Sequence, residues 1–184
     1  MFYLASQSPR RIQLFTELGL PFEVVTSDFE ESKTITNPWD LVRHNATGKA
    51  MNTSASEGMV LGIDTIVELQ GKIFEKPKDA DEAFEMIRAL SGQEHSVLTA
   101  TCFFHASTRE SEIHMSETKV EFYALSDEEI QAYVDTREWV DKSGSYSIQG
   151  KSRTFVKRVE GDYYSVMGVP IDVMRKMKEL TASM

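Results

Sequence analysis

Three groups of residues in this sequence have types and spacing suited to phosphate chemistry. The first is Ser6-Gln7-Ser8-Pro9-Arg10-Arg11, which places two guanidiniums and two hydroxyls at the start of an expected helix. A helix N-terminus favours anions through its unpaired N–H groups and its dipole, so two arginines there sit on the unfavourable side unless an anion joins them. The alternative is an ordinary capped helix with two solvated arginines. The second is Asp64, inside the apolar run Val60-Leu61-Gly62-Ile63-Asp64-Thr65-Ile66-Val67. A carboxylate in such a strand is costly without a partner or a cation, which makes it a candidate base or metal ligand, or else a structural cap. Gly62 would let another group approach the backbone closely.

The third is the acidic run Asp28, Glu30 and Glu31. If the fold brings Glu31 beside Asp64, the two carboxylates form a hard-oxygen site for Mg²⁺, an ion that keeps several waters and takes phosphate oxygens. Otherwise the run is a solvated strand end. Lys49, Lys76 and Lys142 could add positive charge around a polyphosphate, and the Gln149 amide could read a base edge. His44, His95, His105 and His114 have no zinc-binding spacing. Neither common glycine-rich phosphate loop is present, and no serine nucleophile elbow is found.

The elements that must position these groups follow from pattern and capping signals. Phe2 to Ala5 reads as a strand, and Ser8-Pro9 opens a helix that Gly19 ends. Phe22 to Phe29 reads as a second strand, and Asn37-Pro38 opens a helix to about Ala50. Met59 to Leu69 is a strand, with a turn at Gln70-Gly71 and a return through Ile73 and Phe74. Asp79 with Glu82 forms a capping box for a helix through Leu90. Val97 to Phe104 and Ile113 to Tyr123 are long strands. Ser126 with Glu129 caps a helix to Val134, Thr154 to Val159 is a strand, and Pro170 opens a last helix to about Leu180. Strands and helices intersperse without strict alternation, so the fold class is α/β with a mixed sheet.

Composition bounds the function. The chain has 184 residues, 41% of them hydrophobic, and a formal charge of −9, enough for one packed domain and too apolar for disorder. The acidic balance argues against nonspecific nucleic-acid binding, which depends on neutralising many phosphates. Cys102 is the only cysteine, which excludes an internal disulfide framework. No stretch approaches the ~20 apolar residues of a bilayer span. The opening has no basic region before its short apolar piece, so a cytoplasmic protein without membrane partners is expected.

Seven blocks together resemble the Maf family of nucleoside triphosphate pyrophosphatases, over about residues 2–180. They are LASQSPRR (4–11), TSDFEE (26–31), VLGIDTIV (60–67), EKP (75–77), LSGQEHSVLTA (90–100), DKSGSYSIQG (141–150) and VEGDYYSVMGVP (159–170). The resemblance implies an elongated, two-lobed mixed-sheet fold related to inosine triphosphate pyrophosphatases, with a central active-site cleft in a single domain over 1–184. It implies hydrolysis between the α- and β-phosphates with a divalent cation, Mg²⁺ or Mn²⁺, and suggests a homodimer. Asp64 matches the proton acceptor, with Glu31 its acidic partner in catalysis and metal binding. Ser8, Arg11, Lys49 and Lys76 match positions linked to phosphate binding. Arg10, Thr65 and Gln149 match the branch acting on dTTP and UTP. The family is also associated with arrest of bacterial septum formation, so a non-catalytic nucleotide-binding regulator is the alternative. Ile63, Glu75, Ser143 and Ser145 depart from the family's usual residues, Glu75 bringing a negative charge beside Lys76.

Overall fold

The computed structural model describes residues 1–182. One mixed sheet is built from β1 (Phe2–Ala5), β2 (Phe22–Val24), β3 (Met59–Leu69), β4 (Lys72–Phe74), β5 (Glu94–His105), β6 (Ser111–Phe122) and β7 (Val156–Glu160). The order is β2-β1-β3-β5-β6-β7, with β4 paired to the end of β3. β1 runs parallel to both β2 and β3, and every other pairing is antiparallel. Helices are α1 (Pro9–Glu17), α2 (Pro38–Met51), α3 (Ala80–Leu90), α4 (Asp127–Asp135), α5 (Tyr163–Val166) and α6 (Ile171–Ala182).

Because side chains alternate along a strand, β3 serves two cores. Leu61, Ile63 and Val67 face one that also holds Leu14, Phe15, Ile87, Val134 and Met177. Val60 and Ile66 face another, closed by Val42, Ala46 and Ala50 of α2. Asp64 has the parity of the second set, so α2 must cover it. Gly62 is what lets α2 lie that close: a Cβ there would stand 2.1 Å from the Ala46 carbonyl and 2.5 Å from the Ala50 nitrogen. The close approach that Gly62 permits is made by a helix backbone.

Several expected boundaries shift for identifiable reasons. β2 stops at Val24 instead of continuing to Phe29, because β1 offers only four residues to pair and Leu4 sits opposite Val24. Residues 151–155 form a 3₁₀ turn, with the Thr154 hydroxyl donating to the Lys151 carbonyl, so the last strand starts at Val156 instead of Thr154. Ser126 and Glu129 make the reciprocal capping box. Asp79 accepts from the Glu82 N–H, whereas the Glu82 carboxylate reaches back to Lys78, leaving that box half made. The single-turn helix α5 had no pattern long enough to announce it. Among the described residues, no helix is long and apolar enough to cross a membrane.

Candidate active site

A cleft of about 630 Å³ opens where α1 begins, between β3, α2, residues 140–146 and residues 166–168. Ser8, Arg10, Arg11, Glu31, Lys49, Asp64, Thr65, Lys76 and Lys142, all candidates from the sequence, line it. Gln149 does not. It is exposed, two residues beyond Ser147, whose hydroxyl accepts from both the Gln149 N–H and the Arg10 guanidinium.

Asp64 is 6% exposed and fully engaged. Lys49 Nζ lies 2.6 Å from its Oδ1, and Asn45 Nδ2 donates to its Oδ2 at 3.1 Å. Both partners come from one face of α2, four residues apart. That helix starts firmly, with the Asn37 side chain accepting from the Trp39 and Asp40 N–H groups ahead of Pro38. Lys49 Nζ also lies 2.6 Å from Glu31 Oε1, so one ammonium bridges two carboxylates.

Glu31 arrives on an irregular segment tied to α2 and the residues just after it, with the Asp28 N–H donating to the Asn52 carbonyl at 3.0 Å. The Phe29 ring occupies the space that a side chain at position 48 would fill, with the Gly48 Cβ position 2.2 Å from its ring carbon. The Ser32 N–H donates to Asn45 Oδ1 at 3.1 Å. Asn45, which sequence reasoning missed, therefore holds the Asp64 carboxylate with one end of its amide and the Glu31 segment with the other. Its four-residue spacing from Lys49 was the only signal. Burial pushes the Glu31 carboxyl up, but Lys49, with Lys76 and Arg11 further off, outweighs it and holds the group below its ordinary range.

At the opposite wall, the Ser8 side chain makes no capping bond, in contrast to its expected use as a cap; its N–H donates to Ser6 Oγ instead. The Ser8 hydroxyl is thus available at the start of α1. Arg11 is enclosed, and burial lowers its pKa to about 10, with Asp64 opposing the shift; it stays charged at neutral pH. Burial likewise lowers the pKa of Arg10, against the phenols of Tyr133 and Tyr146. Lys142 is lowered by burial and by Arg10. Ser143, one of the departures, donates to the Thr65 carbonyl at 2.9 Å and ties its loop to β3.

Five cationic side chains (Arg10, Arg11, Lys49, Lys76, Lys142) and four carboxylates (Glu31, Glu75, Asp64, Asp141) line the cleft. A locally positive cleft in a chain of charge −9 is suited to a polyanion. Two carboxylates already converging on one cation are suited to a hard metal ion as well, although no group of three His, Cys, Asp or Glu gathers among the described residues.

Fold and cleft together define an α/β protein whose cation-lined cleft is built around a buried carboxylate. Residues 1–180 match the family described as Maf-like protein, and the chain belongs to that family. Among its relatives, "dTTP/UTP pyrophosphatase" of Alkaliphilus oremlandii is 45% identical over 172 residues, 91% of this chain and 89% of that protein. The protein of the same name from Bacillus cytotoxicus is 44% identical over 182 residues, covering 97% and 94%. That of Carboxydothermus hydrogenoformans is 39% identical over 180 residues, covering 96% and 97%.

Proposed function

We propose that this chain hydrolyses nucleoside triphosphates, dTTP and UTP before others, to the nucleoside monophosphate and pyrophosphate. The observation that carries the reading is the Asp64 carboxylate, buried on β3 and joined through Lys49 to Glu31, in the same cleft as the arginine-bearing start of α1. The names of the relatives supply the substrate class and favour turnover over a purely binding role in septum arrest.

The residues divide the work as follows. Ser8 Oγ, the free N–H groups of α1 and Lys76 receive the phosphates, and Arg11 adds the one N–H that its protein partners leave. Lys49 is the residue whose position must change. While its ammonium sits on Asp64 Oδ1, that oxygen has no room to face a water, so the arriving phosphates draw Lys49 away and free it. Asp64 then accepts a proton from the water that attacks the α-phosphorus, and pyrophosphate leaves with the electron pair of the broken P–O bond. Glu31 and Asp64 fit a divalent cation, Mg²⁺ or Mn²⁺, because a cation already stands between them and such ions are commonly held by one or two carboxylates plus phosphate oxygens. When bound, it would supply further charge neutralisation at the phosphates.

Base choice is assigned to the wall of the cleft at Arg10, whose guanidinium shares the Ser147 hydroxyl with the backbone N–H of Gln149, while the Gln149 amide lies outside the cleft and the Thr65 hydroxyl is committed to Arg11 and Thr99. A site that pairs a pyrimidine's polar edge rejects bases that leave buried groups unpaired. The working form in this reading is a cytoplasmic homodimer, which sedimentation of the purified protein tests. The function itself is tested by assaying dTTP, UTP, CTP and GTP with Mg²⁺ or Mn²⁺ for monophosphate and pyrophosphate. Rates on dTTP and UTP should exceed that on CTP and far exceed that on GTP. Equal rates on all four would overturn the base assignment, and release of orthophosphate alone would overturn the reaction.

A further inference from the structure

We infer that Arg11 is a positioning residue for Asp64, with Gly168 as the notch that admits it, and is not the main anchor of the triphosphate; the inference rests on the pyrophosphatase reading above. A guanidinium has five N–H donors, and Arg11 commits four of them to the protein. Nη1 donates to Ser6 Oγ at 3.2 Å and to the Ile63 carbonyl at 3.1 Å. Nη2 donates to Thr65 Oγ1 at 3.0 Å, and Nε to the Gly168 carbonyl at 3.1 Å.

Two of those acceptors, on Ile63 and Thr65, are the chain neighbours of Asp64. One charged plane therefore grips β3 on both sides of the carboxylate, from the face opposite the one where Asn45 and Lys49 hold it. The grip continues inward. Thr65 Oγ1 lies 3.0 Å from Thr99 Oγ1, and Thr99 gives its only hydroxyl hydrogen to the Ser165 carbonyl at 3.0 Å, so Thr65 is the donor in the first of these bonds. The chain Arg11, Thr65, Thr99, Ser165 thus runs in one direction and ends just before the segment that returns to Arg11 through Gly168.

Gly168 makes the arrangement possible. Its φ is +93°, in the region that favours glycine, and a Cβ there would stand 2.9 Å from Arg11 Nε and 3.2 Å from Nη2. A side chain at 168 could be accommodated only by moving the guanidinium or the loop. The groups free to bind phosphate are elsewhere: the uncapped Ser8 hydroxyl and the exposed Lys76.

The two roles separate in kinetics, because an interaction that places the base affects kcat and one that holds the phosphates affects affinity. The test measures kcat on dTTP and the Kd of a non-hydrolysable α,β-imido deoxyuridine triphosphate, by calorimetry, for wild type, Arg11→Lys, Gly168→Ala and Thr65→Val. Arg11→Lys keeps the charge and loses the fork. Thr65→Val removes one acceptor at nearly constant shape and covers the case in which the Arg11 variant fails to fold. The expected result is at least a tenfold fall in kcat for each folded variant, with the analogue Kd within threefold of wild type. A tenfold weaker Kd in Arg11→Lys overturns the inference, as does retention of both constants with only a lower Tm. If wild type itself does not cleave dTTP, the pyrophosphatase reading has failed; if it does and the split is reversed, this inference alone has failed.

Discussion

Replacing Lys49 with methionine isolates the ammonium that joins the two carboxylates. Its side chain is 16% exposed, that of Asp64 8% and that of Glu31 48%. Removing one member of a buried ion pair costs about 3–5 kcal/mol, because the other charge is left uncompensated. Asp64 keeps Asn45, and Glu31 can rehydrate, so the lower end applies: about 3 kcal/mol. For a chain of this size each kcal/mol corresponds to about 2–4 °C in Tm, so calorimetry at pH 7.5 should find the variant about 6–12 °C below wild type. The deficit should narrow as the pH is lowered, since protonating Glu31 removes one of two facing negative charges. Mn²⁺ should raise the variant's Tm more than that of wild type, because no ammonium competes for the place between the carboxylates. A Tm loss below about 2 °C, the scale of an exposed ion pair, together with no difference in the Mn²⁺ response, would refute the bridged-carboxylate account.

Other consequences follow from the same packing. Gly62→Ala drives a Cβ into the backbone of α2 and should cost at least about 1–3 kcal/mol while displacing Asn45 and Lys49 from Asp64, read as a lower Tm and reduced dTTP turnover; a neutral variant would mean that α2 does not lie against β3. His95 is buried with its Nε2 2.8 Å from the Tyr146 hydroxyl, and burial lowers its pKa from 6.5 to about 4. The unfolded chain therefore binds the extra proton first, and stability falls as pH drops from about 6.5 towards 4, by up to about 3 kcal/mol; His95→Gln should flatten that part of a pH–stability curve. Glu31, held below its ordinary range, contributes stability that is present above the unfolded carboxyl pKa and lost as pH falls through its lower folded value; Glu31→Gln should remove that acid-side loss.

The legible part of the molecule is the part governed by local rules. Asp64 stood out because a carboxylate interrupts an apolar strand, and the starts of α1 and α2 stood out through proline preceded by a capping residue type. Strand ends were less legible, since β2 stops where its short partner β1 ends and β7 starts only after the 3₁₀ turn at 151–155, neither of which a local pattern encodes. The Glu31–Lys49–Asp64 cluster depends on Phe29 entering the notch at Gly48 and on Asn45 bonding in two directions. Those contacts join segments separated in sequence, and only packing reveals them. Arg11 shows the converse: its type and place were plain, yet its commitment to Ser6, Ile63, Thr65 and Gly168 could not be read from the local pattern.

The most direct measurement runs the reaction in ¹⁸O-labelled water with wild type and Asp64→Asn. If Asp64 activates a water against the α-phosphorus, wild type should release dTMP carrying one ¹⁸O and unlabelled pyrophosphate. Asp64→Asn, folded and still binding nucleotide, should be slower by about 10²–10⁴, the usual scale for loss of a general base. Label in pyrophosphate, or near-normal turnover in that variant, would contradict the account.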